Sequence, residues 1–120
     1  MRQTLLNRIS VTLVVFFVMA AIGFSIARTR TVDAQDAVAQ GQNIFSNNCA
    51  VCHHAESTRT LLGPGLADLF ERAELPISRR PVTEENVKRQ LTDPVRTMPS
   101  FSDQLSEDEM EAVVEYLKTL

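Results

Sequence analysis

The chain has 120 residues, enough for one domain, and its 12 Lys and Arg against 15 Asp and Glu leave a net charge of -3, the wrong sign for a protein that neutralises nucleic-acid phosphates. That average hides a division: residues 1–35 carry four Arg and one Asp, a net of +3, whereas residues 36–120 carry eight basic and 14 acidic residues, a net of -6. The second part has four aromatic side chains (Phe45, Phe70, Phe101 and Tyr116), no Trp and two Cys, so its own side chains are too few for a self-sufficient core, and something else is expected to fill the middle.

Residues 9–27 form a run of 19 uncharged residues between Arg8 and Arg28. At about 1.5 Å per residue a helix of that length spans roughly 28 Å, close to the ~30 Å hydrocarbon core of a bilayer. The basic residues before it and the small Ser25, Ala27 and Ala34 fit a secretory signal, but a signal's apolar stretch is usually only about 7 to 15 residues. The length favours a retained anchor. Residues 1–35 are therefore read as a signal peptide or N-terminal membrane anchor with a short linker, and residues 36–120 as a domain held outside the cytoplasm.

Helical periodicity fills the rest of the chain. Ala37, Gly41, Ile44, Phe45 and Asn48 predict a helix from about Asp36, its N-cap, into Cys49. Leu66, Leu69, Phe70 and Ala73 repeat the i, i+3, i+4, i+7 pattern and predict a second helix ending at Pro76. Thr83 caps a third, with Val82 and Val87 as a hydrophobic staple, Leu91 one turn further on, and Pro94 as its stop. Ser106 and Glu109 form a capping box for the last, with Leu105 and Met110 as its staple and Met110, Val113, Val114 and Leu117 as its apolar face. No stretch after Asp36 alternates with period two as a half-buried strand does. The class is all-α, with four short helices.

The chemistry lies in Cys49-Ala50-Val51-Cys52-His53-His54. Cys-x-x-Cys-His is the attachment signal of c-type haem. Two thiols one turn apart can each add across one vinyl group of the porphyrin, and the next residue, His53, falls where its Nε2 can ligate the iron. A redox dithiol would need a βαβ context that is absent here. A structural disulfide would close a tiny loop around nothing. A zinc site needs four convergent ligands, whereas His53 and His54 diverge by about 100° on a helix.

With this motif in place, the chain from Gly41 to its C-terminus resembles the class I c-type cytochromes. Gly41 and Phe45 stand eight and four residues before Cys49, where that family packs its first helix against an aromatic residue of the last, here Tyr116. The resemblance implies a small cytochrome c fold, about four short helices wrapped around one covalent haem c and preceded by a hydrophobic N-terminal helix. It also implies that the Pro64 carbonyl accepts the Nδ1 proton of His53, and that Met98, in Thr97-Met98-Pro99, is the second axial ligand. Cofactor-binding residues are then Cys49, Cys52, His53, Pro64 and Met98, with His53 and Met98 on the metal. The bland alternatives are that Met98 fills a gap in the core and Pro64 only shapes a turn; His54 is read as a partly exposed surface residue.

The implied function is one-electron transfer between redox-partner proteins such as an oxidase, reductase or dehydrogenase. It takes place in a bacterial periplasm or on the extracytoplasmic face of the membrane, with no nucleic acid and no small-molecule substrate. Two rivals stand beside it: a relay subunit of an oxidoreductase complex, and a haem sensor or enzyme whose sixth ligand is displaceable. Arg59, Arg79, Arg80 and Arg96 lie between His53 and Met98, whereas Glu107, Asp108, Glu109, Glu111 and Glu115 lie in the last helix, suggesting a positive haem edge for an acidic partner. The alternative docking surface is an apolar rim around Met98, Pro99 and Phe101.

Overall fold

A computed structural model describes residues 34–120. The apolar run 9–27 lies outside the described residues, among which no helix is long and apolar enough to cross a membrane. Gln35–Leu120 pack as one compact unit. Its elements, among the described residues, are α1 over 34–48, a single 3-10 turn over Leu69–Glu71, α2 over Glu84–Thr92 and α3 over Glu107–Leu117. The described residues contain no strand, only an isolated bridge between Glu74 and Pro81.

The expected cap at Asp36 is not found. Ala34 and Gln35 are already helical, both being good helix formers that need no stop before Asp36. The expected helix over 66–73 is also absent, reduced to the 3-10 turn. Asp68 stands at φ 54°, a left-handed conformation through which a right-handed helix does not run. The Leu66 amide is drawn across to the His54 carbonyl at 2.9 Å, and the Arg72 guanidinium takes the carbonyls of Gly65 and Ala67. The apolar spacing still marks burial, since Leu69 is in the core and Leu66 and Phe70 pack against it.

The other two helices form where their caps place them. Thr83 Oγ1 accepts from the Asn86 amide at 3.2 Å, and Ser106 and Glu109 make the reciprocal capping box. Both satisfy amides that a helix N-terminus leaves without partners. Lys88 bridges to Glu107 at 2.8 Å and Lys118 to Glu84 at 2.6 Å, tying α2 to α3. These are partly exposed pairs of small individual worth.

α1 crosses α3 at Gly41. A methyl group there would overlap the Ala112 carbonyl and lie 2.9 Å from Tyr116 Cβ, so only glycine lets the two backbones approach this closely. Beside the crossing, the rings of Phe45 and Tyr116 meet at 5.5 Å, tilted by 58°, a favourable aromatic geometry. Val113 and Val114 are at most 1% exposed at the centre of α3. Phe45, Leu69, Val87, Leu91, Phe101, Val113 and Leu117 are buried, yet all of them also line a cleft. The core is a shell around a space.

Candidate functional site

That cleft encloses about 260 Å³ and brings together all five residues expected at the site. Cys49, Cys52, His53, Pro64 and Met98 stand on its walls, although 49 residues separate the first Cys from Met98 in the chain. His54 is not among the lining residues; it is partly exposed, and its carbonyl holds Leu66.

α1 delivers the Cys pair. Past residue 48 the chain tightens: the amides of Cys49 and Ala50 both donate to the Phe45 carbonyl, at 2.8 and 3.0 Å, and those of Cys52 and His53 both donate to the Cys49 carbonyl, at 3.0 and 2.9 Å. Cys49, Cys52 and His53 therefore occupy one rigid turn. The two thiols are free and not joined to each other. Burial, with Cys52 adding to it, pushes the Cys49 thiol up to about 11, so it is uncharged at neutral pH. A redox-active dithiol needs the opposite, an electropositive setting that favours thiolate. Among the described residues no three His, Cys, Asp or Glu cluster as they would around a zinc ion.

His53 is fixed from two sides. Its Nδ1 lies 2.8 Å from the Pro64 carbonyl oxygen, and because a carbonyl only accepts, Nδ1 carries a proton, so that in the neutral ring the lone pair is on Nε2. Gly63 forms the other constraint. A methyl at that position would overlap the imidazole, lying 2.8 Å from Nδ1 and 2.9 Å from Nε2. The Gly63 amide is itself bound to the Cys52 carbonyl at 2.8 Å, which locks the loop onto the turn it serves.

Met98 reaches the cleft from a loop pinned at both ends. The Phe101 amide donates to the Leu91 carbonyl at 2.8 Å and Ser100 Oγ to the Thr92 carbonyl at 2.7 Å. Within the loop Arg96 turns the chain at φ 61°, and Pro99 keeps Met98 out of helical backbone. Gln90 Nε2 donates to Met98 Sδ at 3.6 Å. Sequence reasoning missed Gln90, although the signal was present: it is a polar residue one turn after Val87 and next to Leu91, on the stripe of α2 that faces the core.

The lining as a whole fits a large, flat, mostly apolar group bearing a metal. Its walls are mostly aliphatic and aromatic, no Asp or Glu lines it, and beside the polar Asn48, Ser78, Gln90, Arg96 and Thr97 it carries two thiols, one imidazole and one thioether. The imidazole and the thioether are borderline and soft donors of the kind haem iron takes, and the thiols are the groups that attach a porphyrin. Of the apolar rim expected around Met98, Pro99 and Phe101, Phe101 is corrected, since it is 6% exposed and belongs to the core, whereas Met98 is partly buried and Pro99 exposed. The exposed apolar residues at the cleft are Val51 (71%), Leu62 (77%) and Ile77 (44%).

Comparison with known proteins points the same way. The family described as "Cytochrome C oxidase, cbb3-type, subunit III" matches residues 36–117. The chain is 30% identical over 80 residues to a cytochrome c6 of Diacronema lutheri, covering 67% of this chain and 92% of that one. It is 33% identical over 87 residues to a cytochrome c6 of Cladophora glomerata, covering 72% and 90%. Cytochrome c oxidase subunit 2 of Alkalihalophilus pseudofirmus is also 33% identical over 87 residues, covering 68% of this chain, which spans only 25% of that subunit's length. A family match over most of the domain, near full-length similarity to small cytochromes and a cleft built around Cys-x-x-Cys-His lead to one conclusion: the chain belongs to the class I c-type cytochromes, which carry electrons on a single covalent haem.

Proposed function

We propose that residues 36–120 form a one-electron carrier whose single haem c is attached through Cys49 and Cys52 and ligated by His53 and Met98, and that residues 1–35 export this domain or tether it to a membrane. The observation that carries the reading is the 2.8 Å bond from His53 Nδ1 to the Pro64 carbonyl, which leaves Nε2 free on the wall of the cleft that Met98 also lines. Haem, when bound, supplies an iron that alternates between Fe(III) and Fe(II), one electron at a time.

The residues of the chain set the terms of that exchange. Pro64 orients the imidazole and makes it more basic. Met98 offers a neutral thioether, which favours the ferrous charge, raises the potential and leaves no ligand position for oxygen. The aliphatic walls keep water out. Val51, Leu62 and Ile77, exposed at the mouth, give a redox partner an uncharged surface on which to settle. No small molecule is transformed, and the partners are proteins: an oxidase, a reductase or a dehydrogenase, met in a bacterial periplasm or at the extracytoplasmic face of the membrane. A second reading, a relay subunit within an oxidase, is favoured by the family description and by the oxidase subunit among the relatives.

Carbon monoxide tests the ligand set. The ferrous wild type is expected to bind it weakly or not at all at neutral pH, and Met98→Ala to bind it readily at a lower potential. Tight binding by the wild type would instead favour a sensor or enzyme with a displaceable ligand. Co-purification of the chain with a haem–copper complex under mild extraction would select the relay reading over the free carrier.

A further inference from the structure

A second cavity, of about 510 Å³, shares no lining residue with the cleft. Val38 and Gln42, one turn apart on α1, form one side of it. Glu56, Ala67 and Asp68 come from the chain between His53 and the 3-10 turn, and Tyr116, Thr119 and Leu120 from the end of α3 and the residues after it. The Asp68 amide donates to the Leu120 carbonyl at 3.1 Å and so ties two of these walls together. Of the two rings that meet at 5.5 Å, Phe45 lines the cleft and Tyr116 this cavity.

The charge of this cavity is of one sign. Glu56 and Asp68 line it, and no Lys, Arg or His does. Neither carboxylate enters an ion pair among the described residues, whereas Glu74, Glu84, Glu85, Glu107, Glu111 and Glu115 all do. Tyr116 is an independent observation. It is only 8% exposed, and its hydrogen bonds are made at the backbone, where its carbonyl accepts from Thr119 Oγ1 at 2.7 Å. Its hydroxyl has no partner among the described residues, and a polar group on so buried a side chain ordinarily has one. Burial, with the Glu56 carboxylate adding to it, pushes the phenol above its ordinary value, so it stays neutral and its oxygen can accept a bond.

Two carboxylates and a phenol oxygen call for a cation that donates hydrogen bonds. A hard divalent ion needs about six oxygens around it, but among the described residues no three His, Cys, Asp or Glu converge as they would around one, and the volume far exceeds an ion's. An ammonium group on a methylene chain matches the lining better: it has three donors for the oxygens and a stem that Val38, Ala67 and Leu120 can cover. We propose that this cavity binds a protonated primary alkylamine. Glu56 and Asp68 supply the charge that holds the ammonium, the Tyr116 hydroxyl is a further acceptor, and the stem lies against the three apolar side chains. Such a group comes from a free aliphatic diamine or from a lysine side chain of a partner protein. The site stands apart from the cleft and does not rest on the reading of the cleft as a haem site.

The test is calorimetric titration of the full chain, as purified, with diaminopentane and with Nα-acetyl-lysine amide at pH 7 and low ionic strength. Wild type is expected to bind with one site per chain. Glu56→Gln and Asp68→Asn are each expected to weaken binding about tenfold, the loss of one charge-assisted bond; Asn is tolerated at the left-handed φ of residue 68. Tyr116→Phe, which keeps the ring against Phe45, weakens it about threefold. Asp103→Asn removes the same charge from an exposed turn outside both cavities and leaves binding in place. Diaminopentane bound the more tightly assigns the site to a free diamine, and the lysine amide bound at least as tightly assigns it to a partner's side chain. Three results overturn the proposal: no binding of either amine by wild type, an equal loss in Asp103→Asn, or magnesium chloride displacing diaminopentane at equal ionic strength where sodium chloride does not. Far-UV circular dichroism shows which variants keep their helices; where Asp68→Asn does not, Glu56→Gln and Tyr116→Phe decide.

Discussion

His53, the proposed axial ligand, is held by atoms that a list of ligands would omit. Gly63 leaves room for the imidazole, Pro64 takes its proton and Gln90 contacts the sulfur of Met98. That Cys49, Cys52, His53, Pro64 and Met98 belong together was legible in the chain, because attaching and ligating a haem would restrict residue type and spacing together, and all five line one cleft. Gln90 was not, because it acts through a long-range contact that has no spacing of its own. Gln90 gives a prediction at this scale. Its N–H draws electron density from the thioether, which, with Met98 on the iron as proposed, would weaken the sulfur as a donor to Fe(III) more than to Fe(II). Gln90→Leu, similar in volume and apolar, is therefore expected to lower the reduction potential while leaving covalent haem content unchanged. An unchanged potential in a redox titration would show that the contact does not reach the iron.

Among the elements, α3 is the one most nearly dictated by local sequence. Its capping box, staple and apolar face all lie within residues 105–117, and each is present. The segment 66–73 is the opposite case, where an apolar period of the right kind marks burial without a helix, because Asp68 at φ 54° and the bond from Leu66 to His54 are set by the turn around the Cys pair. Propensity lost to tertiary context there. For α3, Ser106→Ala is expected to destabilise the fold by about 1 kcal/mol in chemical denaturation at pH 7. The effect should also depend on pH. The Ser106 amide and hydroxyl hold the Glu109 carboxyl below the usual carboxylate range, so its folded-state affinity for protons is lower than in the unfolded chain. The stability this provides is complete above the ordinary range for glutamate, near pH 4 to 5, and is lost as pH falls through the lowered folded value. The difference between wild type and Ser106→Ala should therefore shrink in acid; a difference that stays constant or grows would show that the carboxylate is not part of the cap.

At the scale of the whole molecule, the scarcity of aromatic residues had already implied a core completed by something other than side chains, and the shell of buried residues lining the cleft agrees with it. Charge was less legible. Of the four Arg expected to make a positive docking face, Arg79 is engaged by Glu74 and Arg80 is turned partly inward, which leaves Arg59 and Arg96 exposed, and of these only Arg96 lines the cleft with the apolar Val51, Leu62 and Ile77. Linear position placed these Arg near the site, but the closed loop 74–81 decided where they point. Electron transfer to a partner is accordingly expected to slow only weakly as ionic strength rises from about 0.01 to 0.15 M, over which the Debye length falls from about 30 to 8 Å. Leu62→Glu is expected to slow it more than salt does. A steep salt dependence together with an indifferent Leu62→Glu would return the docking face to the arginines.

All of this depends on a covalent haem at Cys49 and Cys52. Acid–acetone extraction of the purified protein, followed by a haemochrome spectrum of both fractions, tests that directly. The pigment is expected to stay with the polypeptide, at one haem per chain, and to be lost from the chain when both Cys are replaced by Ser. Pigment passing into the acetone from the wild type, or a colourless wild type purified from cells competent to attach haem, would contradict the account at its root.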